Sequence, residues 1–367
     1  MAQRETVNQT MVTGFILLGF RTVPELQSLL FVVFLVIYVV TMAGNILIAM
    51  VLFTNHHLHK PMYFFLGCLS VLETCYSSTI LPRALIGFIT EYNWISFTGC
   101  FLQFYFIGTF ACTECFLLSA MSYDRYLAIC KPLHYAALIN SRLCIQLSLT
   151  SWIISMVATT FTTFFASQLT FCGPNEIDHF FCDYTPLLML SCSDTHQTET
   201  LISVLGSTCT VPPMLLTLIS YVCIICTILK IPSTTGRSKA FSTCSSHLIV
   251  VTIYYGTLIV VYILPKSSSM KDLNKIFSVF YAILTPMINP FIYTLRNREF
   301  KAALRKAFRD YQSMFLQSEK KRLHYYNLQV SVDKLKLEAL WAIIMINSDY
   351  SNRTAAYNRK DSYQWSI

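Results

Sequence analysis

Apolar residues in this chain come in long blocks separated by short polar stretches. Seven blocks reach the length of about 20 residues that a helix needs to cross a bilayer at 1.5 Å per residue. They cover residues 26–51, 60–82, 97–123, 143–165, 198–229, 240–264 and 273–295. Strands of a membrane barrel would instead show segments of about ten residues with alternating polarity. The pattern predicts an all-α membrane protein, a seven-transmembrane helix bundle. Flanking it are a polar N-terminal segment at 1–25, a short amphipathic helix at 296–309 and a tail at 310–367. The apolar piece Phe15–Phe20 is too short for a signal-peptide core, and no small-residue cleavage site follows it. The first span is therefore expected to act as an uncleaved targeting signal.

Composition strengthens the membrane reading. Hydrophobic residues make up 54% of the chain and charged ones 13%, against about 25% charged in a soluble domain. The charges that remain orient the bundle, because Lys and Arg favour the cytoplasmic side. Arg125, Lys131 and Arg142 lie between spans three and four, and Lys230, Arg237 and Lys239 between five and six. Arg296, Arg298, Lys301, Arg305, Lys306 and Arg309 follow span seven. Leu143 to Leu229 holds no Lys or Arg but carries Glu176, Asp178, Asp183, Asp194 and Glu199. The N-terminus is thus expected outside and the C-terminus inside, against the minority vote of Lys266, Lys271 and Lys275. The net charge of +8 then reads as topology and contact with anionic lipid headgroups, not as nucleic-acid binding. Asn8-Gln9-Thr10 is a glycosylation acceptor on the expected outer side.

Most of the 14 cysteines sit in apolar spans and read as small buried hydrophobes. Cys100, at the start of span three, and Cys172, Cys182 and Cys192, in the acidic loop, differ. An oxidising face permits disulfides, and four cysteines allow three pairings. A bridge from Cys100 to the loop would pin a lid over the bundle. His179, Cys182 and Asp183 offer soft-metal ligands at short spacing, or a purely structural segment if Cys182 is oxidised.

Ionisable groups in or beside lipid are expensive and usually functional. Between Tyr92 and Asp124 the only charged residue is Glu114, and Asp124-Arg125 then closes span three. A local ion pair can hold Arg125 against its own helix, and breaking it frees the guanidinium for new acceptors, which makes a bistable element. Pro290 lies inside span seven, where it removes one backbone bond and kinks the helix. Asn289 can satisfy a freed carbonyl or a neighbouring polar group, so the pair reads as a hinge. Glu73 and Glu114 lie deepest in the spans, and buried carboxylates must be protonated, paired or bound to a cation. With Asn45 and Asn289 near, they would hold a structural Na⁺ or stand as two neutral, hydrogen-bonded acids. No chelating helix motif, phosphate loop or nucleophile elbow is present, so nothing in the sequence argues for an enzyme.

The strings FILLGF (15–20), Gly44-Asn45, LHKPMYFFL (58–66), MSYDRYLAIC (121–130), the three loop cysteines, Ser220-Tyr221, KAFSTCSSHL (239–248) and PMINPFIYTLRN (286–297) occur in order. On them the chain resembles a vertebrate olfactory receptor of the tetrapod type, in the rhodopsin-like class of G-protein-coupled receptors. The resemblance covers about residues 8–309. It implies pairing of Cys100 with Cys182 and of Cys172 with Cys192. It also implies a switch at Asp124, Arg125 and Tyr126, with Tyr221 and Tyr293 as alternate partners, and the Asn289-Pro290 hinge. The implied partners are a small volatile odorant and a heterotrimeric G protein of the olfactory stimulatory type, which raises cyclic AMP. A sodium or proton site at Glu73 and Glu114 also fits the resemblance. Departures are Glu73 in place of the usual aspartate, Tyr254-Tyr255-Gly256 where phenylalanine commonly comes first, and a tail longer than is usual.

A ligand site of this kind is expected as an apolar cavity among the outer halves of spans three, five, six and seven. Periodicity in span three puts Phe104, Ile107, Gly108, Ala111 and Cys112 on one strip. The resemblance adds Leu205, Cys209, Tyr255, Leu258, Ile259 and Tyr262. Gly108, Ala111 and Gly206 leave room, and Tyr255 and Tyr262 supply hydrogen bonds. No acid or base stands among them, so the expected ligand is uncharged and largely hydrophobic. A secondary transporter would show internal repeats around a midplane site, and none is found. The tail, rich in Lys, Tyr, Asn and Ser, reads as a disordered segment or as an error of the gene model, with a regulatory extension as the alternative.

Overall fold

The computed structural model describes residues 12–20, 24–55, 60–90, 93–172, 175–263, 271–295, 300–307, 309, 312–323, 325–331, 333, 334 and 336. Six described helices are long and apolar enough to cross a membrane, with a shorter apolar stretch at His247–Val261. In chain order the elements begin with the strand β1 (Gly14–Leu17), then helices α1 (Gln27–Thr54) and α2 (Pro61–Ile89) and the strand β2 (Trp94–Ser96). Next come α3 (Phe97–Cys130), the one-turn α4 (Tyr135–Leu138), α5 (Ser141–Ser167), β3 (Glu176–Ile177) and α6 (Tyr184–Met189). The last are α7 (His196–Leu229), α8 (Thr234–Leu258), α9 (Lys271–Val279) and α10 (Thr285–Leu295). Helices α1, α2, α3, α5, α7 and α8 are spans one to six, and α9 and α10 together form the seventh. The chain is a seven-span, multi-pass membrane protein.

Local chemistry sets the boundaries. Pro61 opens α2, where its missing N–H costs nothing. Ser96 caps α3 by accepting from the Gly99 amide at 3.1 Å, and Asn140 caps α5 by accepting from Leu143 at 2.8 Å. The first half of α8 is the polar KAFSTCSSH stretch, which is why this span is recognisably apolar only over His247–Val261. Side chains such as Leu29, Val32, Val36 and Val39 on α1, and Leu215, Leu218, Ile219 and Val222 on α7, are exposed. In water such a surface would be an aggregation hazard; here it is the lipid face.

Helix α3 runs through the middle, packed on α2, α5 and α7. Two helices switch to π-type turns, Ile259–Ile263 after α8 and Phe280–Leu284 between α9 and α10. Over one end lies a three-stranded sheet in the order β2-β1-β3, with β1 antiparallel to β2 and parallel to β3. The N-terminal strand is thus the centre of the sheet, a placement no local sequence signal announces.

Residues 304–367 form a separate unit. Where the sequence suggests disorder after residue 310, the described residues 312–323 and 325–331 are helical and exposed. Lys, Leu, Glu, Gln, Arg and Met are strong helix formers, so this stretch can be helical without a packing partner.

Candidate functional site

The sheet end is braced covalently. Cys100 at the start of α3 bonds Cys182, and Cys172 bonds Cys192, with Cα–Cα distances of 5.5 and 6.0 Å. These are the pairings the resemblance implied. Phe15 of β1 is fully buried beside Cys100, Cys182, Phe101 and Ile177. Gln103 links two layers, its amide donating to the Thr79 carbonyl at 2.9 Å while its carbonyl accepts from the Cys182 amide at 3.0 Å. Gly19, at φ +58, makes the turn after β1, a conformation that disfavours any side chain. That turn sets Phe20 among Phe34, Phe88 and Phe180, with ring centroids 5.4–6.3 Å away. The ammonium of Lys275 on α9 then donates to Asp178 at 2.5 Å and to the Gly19 carbonyl at 3.1 Å. Lys275 is therefore no stray vote on topology; it ties the seventh span to the lid.

His179 belongs to this lid and not to a metal centre. Cys182 is consumed in its disulfide, and among the described residues no three His, Cys, Asp or Glu side chains gather as ligands. The imidazole is buried against Phe180 and Phe181. Burial, aided by the nearby Lys275 charge, pushes its pKa down to about 3, so it stays neutral.

Beneath the lid is a chamber of about 220 Å³. Phe104, Ile107, Gly108, Ala111 and Cys112 line it from α3, as the helical strip required. Leu205 and Cys209 line it from α7, Tyr255 and Leu258 from α8, and Ile259 from the first position of the π turn. The side chain of Tyr262 lies outside the described residues. Gly206 faces open space, since a Cβ there would meet nothing within 4 Å. Gly108 is the opposite case, with the Thr159 methyl 3.1 Å from where a Cβ would stand.

Three features of the chamber differ from the sequence reading. Tyr255 spends its hydroxyl on the Cys115 carbonyl at 2.9 Å, and neighbouring Tyr254 donates to Ala111 at 2.8 Å. Both hydroxyls therefore tie α8 to α3. The polar lining comes instead from Thr159 and Thr162 on α5 and from Ser203, Ser207 and Thr210 on α7. Of these, Thr159 already pairs with Thr109 at 2.7 Å, while Thr162 and Thr210 donate to the Thr159 and Gly206 carbonyls at 3.0 and 2.9 Å and keep only their acceptor capacity. Finally, Asp183 and Tyr184 also reach the wall, so the lining does contain an acid. Span four and the loop after Cys182 contribute through packing alone, which explains why periodicity within single helices missed them.

Deeper in the bundle, Asn289 donates to a Glu73 carboxylate oxygen at 2.5 Å. The other Glu73 oxygen, both oxygens of Glu114, the hydroxyls of Tyr76 and Ser77 and the Asn289 carbonyl are buried without a well-formed hydrogen bond, and Glu114 lies within reach of Glu73 and of the Tyr254 hydroxyl. Asn45 is not part of this group. It donates to the Thr41 carbonyl and, at 3.0 Å, to the Pro286 carbonyl. Residue 286 is four before Pro290 and so is the carbonyl that proline leaves unpaired. Asn45 thus repairs the break while Asn289 serves Glu73. Gly44 lets the helices meet closely enough, since a Cβ there would stand 3.0 Å from the Pro290 ring.

At the opposite end, Asp124 is buried and accepts from the Tyr135 hydroxyl of α4 at 2.7 Å, with Arg125 Nε 4.0 Å away. Tyr135 was invisible to motif reading, because its role depends on the turn that follows α3. Burial and the Asp124 carboxylate push its phenol up, so it remains a donor. Tyr221 is engaged with His247 of α8, Oη to Nδ1 at 2.5 Å. Around it pack Ile224, Ile228 and Cys244, with Tyr126 alongside, its ring stacked on Tyr123 at 6.2 Å. The Tyr293 side chain and Asn8 lie outside the described residues.

A lidded chamber at one end of seven spans, with a buried acid beside a half-buried arginine at the other, defines a seven-helix receptor of the G-protein-coupled class. Known sequences narrow the class. A family model described as olfactory receptor matches residues 34–311. Olfactory receptor 6B1 of Homo sapiens is 50% identical over 302 residues, covering 82% of this chain and 96% of that receptor. Olfactory receptor 8U3 of Mus musculus is 49% identical over 301 residues, 82% of this chain and 94% of that receptor. Olfactory receptor 11L1 of Homo sapiens is 46% identical over 321 residues, 88% of this chain and all of that receptor. The chain belongs to the olfactory receptor family.

Proposed function

We propose that this receptor resides in the plasma membrane with its N-terminus outside and binds a small, mostly hydrophobic odorant in the chamber. Ligand binding activates a heterotrimeric G protein of the olfactory stimulatory type and raises cyclic AMP, with no chemistry performed on the ligand. One observation carries the reading. The helices that wall the chamber, α3, α7 and α8, are the helices that hold Arg125, Tyr221 and His247 at the other end. A ligand that shifts α8 against α3 strains the Tyr254 and Tyr255 bonds. It thereby biases the Tyr221–His247 contact, and Tyr221 becomes available to Arg125. The hydroxyls on α5 and α7 favour one oxygen-bearing group on an otherwise apolar ligand.

The test is a screen of diverse odorants in cells expressing the olfactory stimulatory G protein. Neutral odorants should raise cyclic AMP, and Arg125→Ala should abolish the response with surface display intact. Activation confined to charged amines or carboxylates would overturn the ligand class, and a full response in Arg125→Ala would overturn the switch.

The buried oxygens of Glu73, Glu114 and Asn289, gathered with few donors around them, suit a hard monovalent cation, which prefers oxygen ligands. We propose that Glu73 and Glu114 hold Na⁺ in the resting receptor, where its charge would keep both carboxylates ionised. Basal signalling that is unchanged in Glu114→Gln, together with its sodium dependence, would return them to neutral acids.

A further inference from the structure

The match to the olfactory receptor family ends at residue 311, and the helical segment beyond it is unused by the switch or the chamber. Its surface is unlike that of a soluble helix. Phe315, Leu316, Leu323, Tyr326 and Val330 recur at intervals of seven or eight, three and four residues, and each is at least half exposed. That spacing places them along one stripe of a helix. Lys320 and Arg322 flank that stripe, one on each side, while Lys321 falls behind it beside the exposed Met314, Tyr325 and Leu328, and the long basic stems can carry their charges toward its edges. Over the described tail residues from 309 to 336, six basic side chains face two acidic ones, Glu319 and Asp333. Aromatic and aliphatic side chains bordered by clustered Lys and Arg make up the composition of a helix that lies in a bilayer interface.

The position in the chain fits the same surface. The last helix of span seven runs to Leu295, and the helical tail residues beyond the family match are described from Gln312. Even fully extended, the 16 residues between them span at most about 55 Å. The helix is thus tethered close to a membrane, where its effective concentration is high.

We propose that residues 312–331 form an interfacial helix that docks on anionic lipid at the bilayer surface, with Phe315, Leu316 and Leu323 inserted among the acyl chains and Lys320, Lys321 and Arg322 on the headgroups. The occupant is the lipid surface and not a partner protein, because lipid needs only an apolar stripe and clustered charge. A specific protein partner would call for a shaped groove or pocket.

Hydrogen exchange on the full-length receptor in single-receptor nanodiscs tests this. With phosphatidylserine present, amides 312–331 should exchange about tenfold more slowly than in phosphatidylcholine alone. The combined Lys320→Glu, Lys321→Glu and Arg322→Glu variant should return them to the phosphatidylcholine rate. Phe315→Ser with Leu316→Ser should weaken protection without altering charge. Equal rates in the two lipids would overturn the proposal. So would protection that survives charge reversal, or protection that appears only when a G protein or a second receptor copy is added.

Discussion

The two ends of the bundle are held by different kinds of force. The sheet end carries two disulfides, a three-stranded sheet, a four-ring aromatic cluster and the Lys275 tie to Asp178 and Gly19. The Arg125 end is held, among the described polar contacts, by Tyr135 on Asp124, by Tyr221 on His247 and by Cys130 against Thr227. Hydrogen bonds of this kind contribute about 1 kcal/mol net each. A fixed roof keeps the chamber preformed, so little ligand binding energy is lost to ordering it. A base held by exchangeable contacts can be shifted by the few kcal/mol that a small ligand supplies. The contrast separates a rigid receiving end from a compliant reporting end.

The contrast breaks most completely at the bridges. Replacing Cys182 by Ala opens a loop closed over 82 residues, worth about 4.5 kcal/mol by chain entropy, against about 3.3 kcal/mol for the 20-residue loop of Cys192. Surface display and thermal unfolding in detergent should rank the two variants in that order. Next, Phe15→Ala removes a fully buried ring and should cost about 3 kcal/mol. Lost odorant response with normal basal signalling would show that the damage stays at the roof.

At the compliant end the sign should reverse. Tyr135→Phe removes one resting-state hydroxyl contact, and basal cyclic AMP should rise about fivefold for a contact of about 1 kcal/mol, while Tyr221→Phe also removes the hydroxyl offered to Arg125 and should raise it less. A fall in basal signal with normal display would mean these contacts support the active state. Gly206→Val should leave folding alone and raise the odorant concentration needed for response, since its Cβ enters open chamber. Gly108→Val, meeting Thr159, should lower stability as well.

The smallest effect near neutral pH belongs to His179. The imidazole is neutral in the fold, with its pKa near 3 against an ordinary 6.5, so the unfolded lid binds the extra proton. Its stabilising effect is complete above pH 6.5 and is lost progressively as pH falls toward 3. Lid protection measured by hydrogen exchange should decline over that window, and His179→Phe should flatten the slope.

Much of this was legible in order along the chain. Block length gave seven spans, because a bilayer imposes one length on every crossing helix. The α3 strip from Phe104 to Cys112 was legible because 3.6-residue periodicity fixes which side chains share a face. What lay between helices was not. Asn45 serving the carbonyl that Pro290 exposes, Tyr135 serving Asp124, and Asp183 on the chamber wall all join residues whose adjacency follows from packing. The resemblance places Tyr255 at the chamber, but only packing shows that its hydroxyl serves the Cys115 carbonyl and not a ligand.

The sequence by itself determined a seven-helix membrane receptor of the olfactory family, with Asp124-Arg125 closing its third span. Hydropathy, charge bias and ordered motifs are local properties, and each can be read one segment at a time. Tertiary structure alone decided that the N-terminal strand is the centre of the lid, that Lys275 fastens it, and that Tyr221 rests on His247. Those outcomes depend on which groups meet across the bundle, where each buried donor must find an acceptor and one helix offers only half of the pair.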